Sequence, residues 1–223
     1  MLIAIIPAKD EALNIGEVVS KTKKYVDFVL VIDDASLDNT KEIAEVNGAY
    51  VIRNAHNLGK ADCLKIGFKY VIENNFDRIV LIDGDGQHDP DEIPKLLKKL
   101  DEGYDIVVGA RSFNLKEMPF LRVFANSFSS LLLSKITHVK ILDSQSGYRV
   151  LKTDVVKKII FETRRYQLDT EMLVKAARCS FKIGFVPIKT IYAEKAKSKI
   201  NQLIDPIKFL IVALRLSFYR CKK

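Results

Sequence analysis

The strongest constraint on how this chain can fold is a rhythm in its first half, where short β-branched apolar runs alternate with helical patterns. Leu2–Ile6, Phe28–Ile32, Tyr50–Arg53, Arg78–Ile82 and Asp105–Val108 read as buried strands. Between them, Asn14–Lys24, Asp38–Asn47, Lys60–Asn74 and Asp91–Leu100 carry apolar residues at the three-to-four spacing of amphipathic helices. Strand, crossover helix and next strand, joined by brief polar connections, predict an open, mostly parallel sheet with helices on both faces. Sheets of this kind bind ligands beyond the carboxyl ends of their strands. The second half predicts a long helix at Pro119–Ile136, apolar around most of its circumference, and a loop running into a strand at Asp143–Lys152. A helix at Leu168–Cys179, one or two strands within Lys182–Tyr192 and a helical tail from Leu203 to Arg220 complete the pattern. No linker or low-complexity stretch divides the 223 residues, so one α/β domain is expected.

With 48% apolar and 29% charged residues, the chain is neither disordered nor collagen-like. A net charge of +8 favours an anionic partner: nucleic acid, a phosphorylated substrate or an anionic membrane surface. Cys63, Cys179 and Cys221 are scattered without a CxxC, which argues against a disulfide framework or a zinc site. Cys63 and Cys179 are expected to pack as small apolar residues, and a reducing compartment fits. Pro7 stops the first apolar run at once, so it is no signal peptide, and no stretch reaches the length of a membrane span. A cytosolic protein is expected.

The strand ends carry the chemistry. After the first strand, Pro7-Ala8-Lys9-Asp10-Glu11 lacks the glycines of a dinucleotide-binding turn, and none appears before Gly16. The second strand ends in Asp33-Asp34-Ala35-Ser36-Leu37-Asp38-Asn39-Thr40. Paired carboxylates there can accept hydrogen bonds from a ribose or a base N–H. Asp38 and Thr40 read as helix caps, whereas Asp33 points past the sheet. The fourth strand delivers Asp83-Gly84-Asp85-Gly86-Gln87-His88-Asp89-Pro90, in which two carboxylates can converge on one hard cation. His88 and Pro94 at the sixth and twelfth positions exclude an EF-hand. Asp89 is expected to cap the helix begun by Pro90, and His88 to make a hydrogen bond where that helix starts. His56, His88 and His138 lack ligand spacing.

Four of these segments, with Asn57-Leu58-Gly59-Lys60 as the third, occur in the order and spacing of the family 2 glycosyltransferases with a GT-A fold, which the chain resembles. Gly109-Ala110-Arg111, Asp143-Ser144-Gln145-Ser146-Gly147-Tyr148-Arg149 and Ser198-Lys199 look like the dolichyl-phosphate mannosyltransferase branch, which makes polyprenyl-phosphate sugars. The resemblance implies a GT-A domain over residues 1–200, followed by a C-terminal amphipathic helix over 201–223. It implies that Pro7, Ala8, Glu11 and Asp33 hold the nucleoside, that Lys60 contributes to donor binding, and that Ser198 and Lys199 close over the donor. Asp83, Asp85 and Gln87 would hold Mg²⁺ or Mn²⁺ on the diphosphate. Arg111, Arg122 and Asn126 would grip the acceptor phosphate. In related transferases acting on neutral hydroxyls, an acid near Asp169 and Glu171 serves as base; Asp169 reads as a cap and Glu171 as a residue near the sugar. Two departures, Ala193-Glu194 where members often carry an arginine and Ala196 in place of a glycine, put mannose itself in question.

The implied reaction is inverting transfer from GDP-mannose or a UDP-sugar to dolichyl or polyprenyl phosphate, with catalysis by Asp85, Arg111, Arg122 and Glu171. A polyprenyl acceptor requires a membrane surface. In the tail, Lys208, Arg215 and Lys222 recur every seven residues on an otherwise apolar helix. That pattern suits either a peripheral contact with the cytoplasmic face of a membrane or docking on the domain, or a dimer contact. The rivals are a GT-A enzyme with a soluble or protein-linked saccharide acceptor, a nucleotidyltransferase lacking its usual glycine-rich loop, and a nucleic-acid binder. The last is disfavoured because the basic residues do not cluster with aromatics.

Overall fold

A computed structural model describes residues 1–111, 120–163, 167–189, 191 and 212–221, with backbone alone at 120–126. Its centre is β1 (Leu2–Ala8), whose Ile3, Ala4, Ile5 and Ile6 are fully buried because helices cover both faces of the sheet. β1 pairs in parallel with β2 (Phe28–Asp33) on one side and β4 (Arg78–Leu81) on the other. With β3 (Tyr50–Arg53), β5 (Ile106–Arg111), β6 (Arg149–Lys152) and β7 (Ile183–Ile188), the order is β3-β2-β1-β4-β6-β5-β7. β6 alone runs antiparallel to its neighbours β4 and β5. The five strands expected in the first half are present, with ends shifted by at most three residues.

Helices α1 (Ile15–Thr22), α2 (Thr40–Val46) and α4 (Ile93–Asp101) bury their apolar stripes against one face. α3 (Lys60–Glu73), α5 (Phe120–Thr137), α6 (Thr153–Lys158) and α7 (Leu168–Arg178) cover the other. α6 has no counterpart in the sequence reading, because six residues are too few to display a helical period. Chain order reverses between β1 and β4, and a ligand crevice forms at such a reversal. Pro7 marks the opening. Ile5 accepts the last bond from the β4 side, from Ile82 N, so the N–H that Pro7 lacks would face a strand that has already ended.

One expectation is corrected here. Cys179 and Cys221, 42 residues apart, form a disulfide, so Cys179 is not a packed thiol. Local spacing could not reveal the pair, because only folding brings the tail to the end of α7. The described part of the tail, helical over 212–217, docks on the domain: Ala213 and Leu216 join the core that contains α7. Arg178 Nη2 donates to Ile136 O (3.2 Å) and Ser217 O (2.8 Å), and the Lys175 ammonium sits 4.7 Å from the centre of the Tyr219 ring. Among the described residues, no helix is long and apolar enough to cross a membrane.

The disulfide makes a direct prediction. Thiol titration of the unfolded, unreduced chain should find one thiol, buried Cys63, and three after reduction. Reduction should lower stability by about 2–4 kcal/mol in urea unfolding. Three thiols without reductant would remove the bond.

Candidate active site

Beyond β1 and β2, two loops are braced against each other. Asp34 N donates to Ala8 O, continuing the register that sets Ala8 beside Asp33. Asp10 N donates to Ser36 Oγ (2.9 Å), Glu11 N to Thr40 Oγ1 (2.8 Å), Ala12 N to Asp38 Oδ2 (3.1 Å) and Leu37 N to Asp10 Oδ1 (2.7 Å). Asp38 accepts from Thr40 N but stands one residue before the N-cap, Asn39, which makes no side-chain cap bond, and Thr40 proves to be a brace for the neighbouring loop. Pro7, Ala8, Glu11 and Asp33 thus stand together on one rigid shelf. Asp33 is fully buried and accepts from Ser36 N through Oδ1. Its Oδ2, also buried, lies 3.3 Å from Arg53 Nε without an aligned hydrogen bond.

Asp34 does different work. Its carboxylate accepts from Asn54 Nδ2, Leu58 N and Gly59 N at 2.8–2.9 Å, which fixes the turn that starts α3 at Lys60. Burial opposes its charge, but these donors hold its pKa below the ordinary carboxylate value.

Lys60 is thereby aimed at the acidic turn after β4, where its Nζ lies 2.5 Å from Asp83 Oδ1. Burial alone would disfavour the ammonium, yet the charges of Asp83 and then Asp169 outweigh it and raise the Lys60 pKa. Asp83 is the converse: burial pushes it up, and Lys60 more than compensates, pulling it down. In the same turn, Asp85 Oδ1 accepts from Gln87 N (3.0 Å), and Gly86 takes φ +74°, a value that suits glycine. His88 departs from expectation. It is Asp89 that caps the following turn, by accepting from Asp91 N, while the buried His88 ring packs 5.1 Å from Tyr148. Burial pushes the His88 pKa down to about 4, so its Nδ1, 4.0 Å from Asp83 Oδ2, belongs to a neutral ring.

Asp83 and Asp85 offer hard oxygen ligands, and a cationic group already rests on one of them. Among the described residues no three acidic, His or Cys side chains form a cage. Mg²⁺ bound to a nucleotide ordinarily uses one or two carboxylates plus phosphate oxygens, so the residues present fit a diphosphate-bridging ion.

The segment preceding β6 closes the floor. Gly147 is a close-approach position: a Cβ there would lie 2.6 Å from Lys60 Nζ and 2.9 Å from Asp83 Oδ2. Arg149, fully buried, donates through Nε to Ser146 O and through Nη1 to Asp169 O, both at 2.9 Å. Its Nη2 faces Asp169 Oδ1 at 3.5 Å without a hydrogen bond. Asp169, read from sequence as a cap, therefore belongs to the charged floor beneath Lys60.

Glu171, expected near the sugar, is held elsewhere. Its carboxylate accepts from Glu162 N (2.9 Å), Thr163 N (3.0 Å) and Thr163 Oγ1 (2.6 Å), and pairs with Lys175 at 2.7 Å. Fully buried and fully engaged, it organises residues 162–163. The physical reason is helical geometry: two residues apart on α7, Asp169 and Glu171 cannot face the same way.

Arg111, at the end of β5, is gripped by Asp143: Nε to Oδ2 at 2.8 Å, Nη2 to Oδ1 at 3.1 Å, and the backbone N to Oδ2 at 3.2 Å. Asp143 also accepts from Gln145 N and Ser146 N. The sequence reading noted the motif containing Asp143, Gly147 and Arg149 but gave those three no role. The side chains of Arg122 and Asn126, and all of Ser198 and Lys199, lie outside the described residues.

Burial opposes the Asp143 charge, but Arg111 holds its pKa below the usual range. A depressed folded-state pKa stabilises the fold above the unfolded value of about 3.9, and that stability is lost as pH falls through the lower folded value. Asp143→Asn should therefore cost about 3 kcal/mol at pH 7. In urea unfolding, the gap to wild type should close as pH drops below about 4; a pH-independent gap would show that the charge is not what matters.

With this geometry in place, comparison with known proteins is informative. The sequence pattern of glycosyl transferase family 2 matches residues 3–160. A Methanococcus voltae protein named UDP-N-acetylglucosamine–dolichyl-phosphate N-acetylglucosaminyltransferase is 31% identical, covering 97% of this chain and 96% of its own. The undecaprenyl-phosphate mannosyltransferase of Micrococcus luteus is 27% identical over 90% of this chain and 87% of its own. Among solved structures, glucosyl-3-phosphoglycerate synthase from Mycobacterium tuberculosis, in complex with Mn²⁺, uridine diphosphate and product, superposes with a TM-score of 0.78. It shares 18% identity, covering 97% of this chain and 80% of that one, a likeness of fold. The resemblance read from the strand-end motifs therefore extends over nearly the whole chain, which belongs to glycosyl transferase family 2.

Proposed function

We propose that the protein is an inverting, metal-dependent glycosyltransferase that moves a sugar from a nucleotide-sugar donor, GDP-mannose or a UDP-sugar, to a polyprenyl or dolichyl phosphate. The observation that carries this reading is the Asp83–Asp85 turn at the β1/β4 crevice, with Arg111 of β5, held at fixed orientation by Asp143, near enough for its charge to help lower the Asp83 pKa. The braced shelf of Pro7, Ala8, Glu11 and Asp33 would receive the nucleoside. Asp83, Asp85 and Gln87 would hold Mg²⁺ or Mn²⁺, which would supply charge neutralisation for the departing diphosphate. Lys60, released from Asp83, would then be placed to neutralise a phosphate oxygen. Ser198 and Lys199 remain candidates for the donor side.

A phosphate monoester with a second pKa of about 6 is largely dianionic at neutral pH and is its own nucleophile. The chain then needs to position that phosphate rather than deprotonate it. Arg111 suits the task because Asp143 fixes its plane before the acceptor arrives, and Arg122 and Asn126 on α5 would complete the grip. A single in-line displacement inverts the anomeric carbon. The engagement of both Glu171 oxygens supports a mechanism without a base at that position. The lipid acceptor and the +8 charge together favour peripheral association with an anionic membrane, on its cytoplasmic face.

The test is a panel of nucleotide sugars incubated with Mg²⁺ or Mn²⁺ and a short polyprenyl phosphate, scoring lipid-linked sugar. One donor should give product, and Asp85→Ala should reduce turnover by roughly 100-fold or more. Glu171→Gln should lower stability while changing kcat of the folded enzyme only a few-fold. Glycosylation of a soluble saccharide without lipid product, abolished in Glu171→Gln, would replace this reading with the soluble-acceptor one.

A further inference from the structure

A groove of about 560 Å³ runs along α5, walled on one side by Ser130, Leu131 and Ser134 and on the other by Val139, Ile141 and Leu142. The second wall exists because the chain turns sharply after α5, with His138 at φ +58°. Two of its three serines turn their hydroxyls away from it. Ser134 Oγ donates to Ser130 O (2.7 Å) and accepts from Ile141 N (2.9 Å). Ser130 Oγ accepts from Ser144 N (3.2 Å) and donates to Ser144 Oγ (3.4 Å). Both hydroxyls are engaged within the protein, while Leu131 is 58% and Leu142 42% exposed at the mouth.

Both walls lead back to the acceptor side of the crevice. The residue after Leu142 is Asp143, which grips Arg111. The other wall is the same helix that carries Arg122 and Asn126 one to two turns earlier. Lys140 and His138, both exposed, also line the groove, and Lys135 is exposed on the same helix. A mainly apolar trough that adjoins the aspartate gripping Arg111 and carries Lys140 in its lining matches an amphiphile with one anionic head and a hydrocarbon tail, approached from an anionic surface. When such a lipid lifts its head out of the bilayer to reach Arg111, the first carbons of its chain need another apolar surface to avoid water.

We infer that this groove receives the first isoprene units of the acceptor chain and sets the enzyme's preference for prenyl phosphates over small phosphates. The inference rests on the polyprenyl-phosphate reading above and adds to it the site of the hydrocarbon. Leu131 and Leu142 are its specificity-determining residues.

The experiment measures KM and kcat for isopentenyl, geranyl and farnesyl monophosphate below their micellar concentrations, with the full chain and its preferred donor. In wild type, KM should fall with each added isoprene unit. In the Leu131→Gln/Leu142→Gln double variant, that dependence should flatten. KM for farnesyl monophosphate should rise about tenfold, while KM for isopentenyl monophosphate stays within about twofold. Leu131→Trp, which narrows the mouth without adding charge, should penalise farnesyl monophosphate in the same selective way. Equal effects on all three acceptors, or none, would overturn the groove while leaving transfer to prenyl phosphate intact. Failure of wild type to use any prenyl phosphate, with transfer to a soluble saccharide instead, would overturn the acceptor reading and this inference with it.

Discussion

Under the ends of the central strands lies a chain of buried and half-buried charges of alternating sign, from Asp83 through Lys60 to Asp169 and Arg149, with Asp143 and Arg111 at its side. Burying any one alone would cost several kcal/mol, and removing one partner strands the other in a poorly solvating interior. Each member therefore constrains its neighbours. Lys60 can stay charged because Asp83 and Asp169 surround it. Arg149, whose burial pushes its pKa down, is supported by Asp169, Asp143 and Asp83. The network ties together α3, α7, the acidic turn and the segment before β6, so the orientation of the crevice is set by electrostatics as much as by apolar packing.

The cation on Asp83 has a functional consequence. Under the proposed function, a metal–diphosphate complex entering the crevice would meet a carboxylate already neutralised by Lys60, so binding would exchange one cation for another rather than desolvate a bare anion. The exchanged ammonium would remain beside the incoming phosphates. The close approach at Gly147 belongs to the same arrangement: a side chain there would occupy the place where Lys60 and Asp83 meet. Arg111 shows the same principle on the acceptor side. A free arginine would lose rotamer entropy on gripping phosphate, whereas one held on two edges by Asp143 and the β5 backbone has lost it on folding.

The tail completes the surface around α7. The described end of the chain is clamped to α7 by a disulfide, by Arg178 and by the packing of Ala213 and Leu216. This leaves Leu214 and Phe218 exposed beside a docked helix. Docking and surface contact were alternatives in the sequence; a helix that buries one stripe and exposes another satisfies part of each.

Much of this protein was legible in one dimension. The β-branched runs determined the strands because each lies in a sheet covered on both faces, and the strand-end motifs determined the crevice because parallel strands deliver their carboxyl ends to one side. Pro7, Asp33, Asp83 and Asp85 could be singled out because each stands at or just past the end of a strand, a position that local pattern fixes. What the sequence could not supply is which carboxylate meets which cation. Asp169 and Glu171 stand two residues apart with the same charge, and only the packing of α7 sends one toward Lys60 and the other toward Thr163. Asp143 with Arg111, Gly147 with Lys60, and Cys179 with Cys221 are likewise pairs separated by 32 to 87 positions in the chain. Local pattern carries backbone periodicity, but ion pairs and disulfides depend on distances that exist only once the chain has folded.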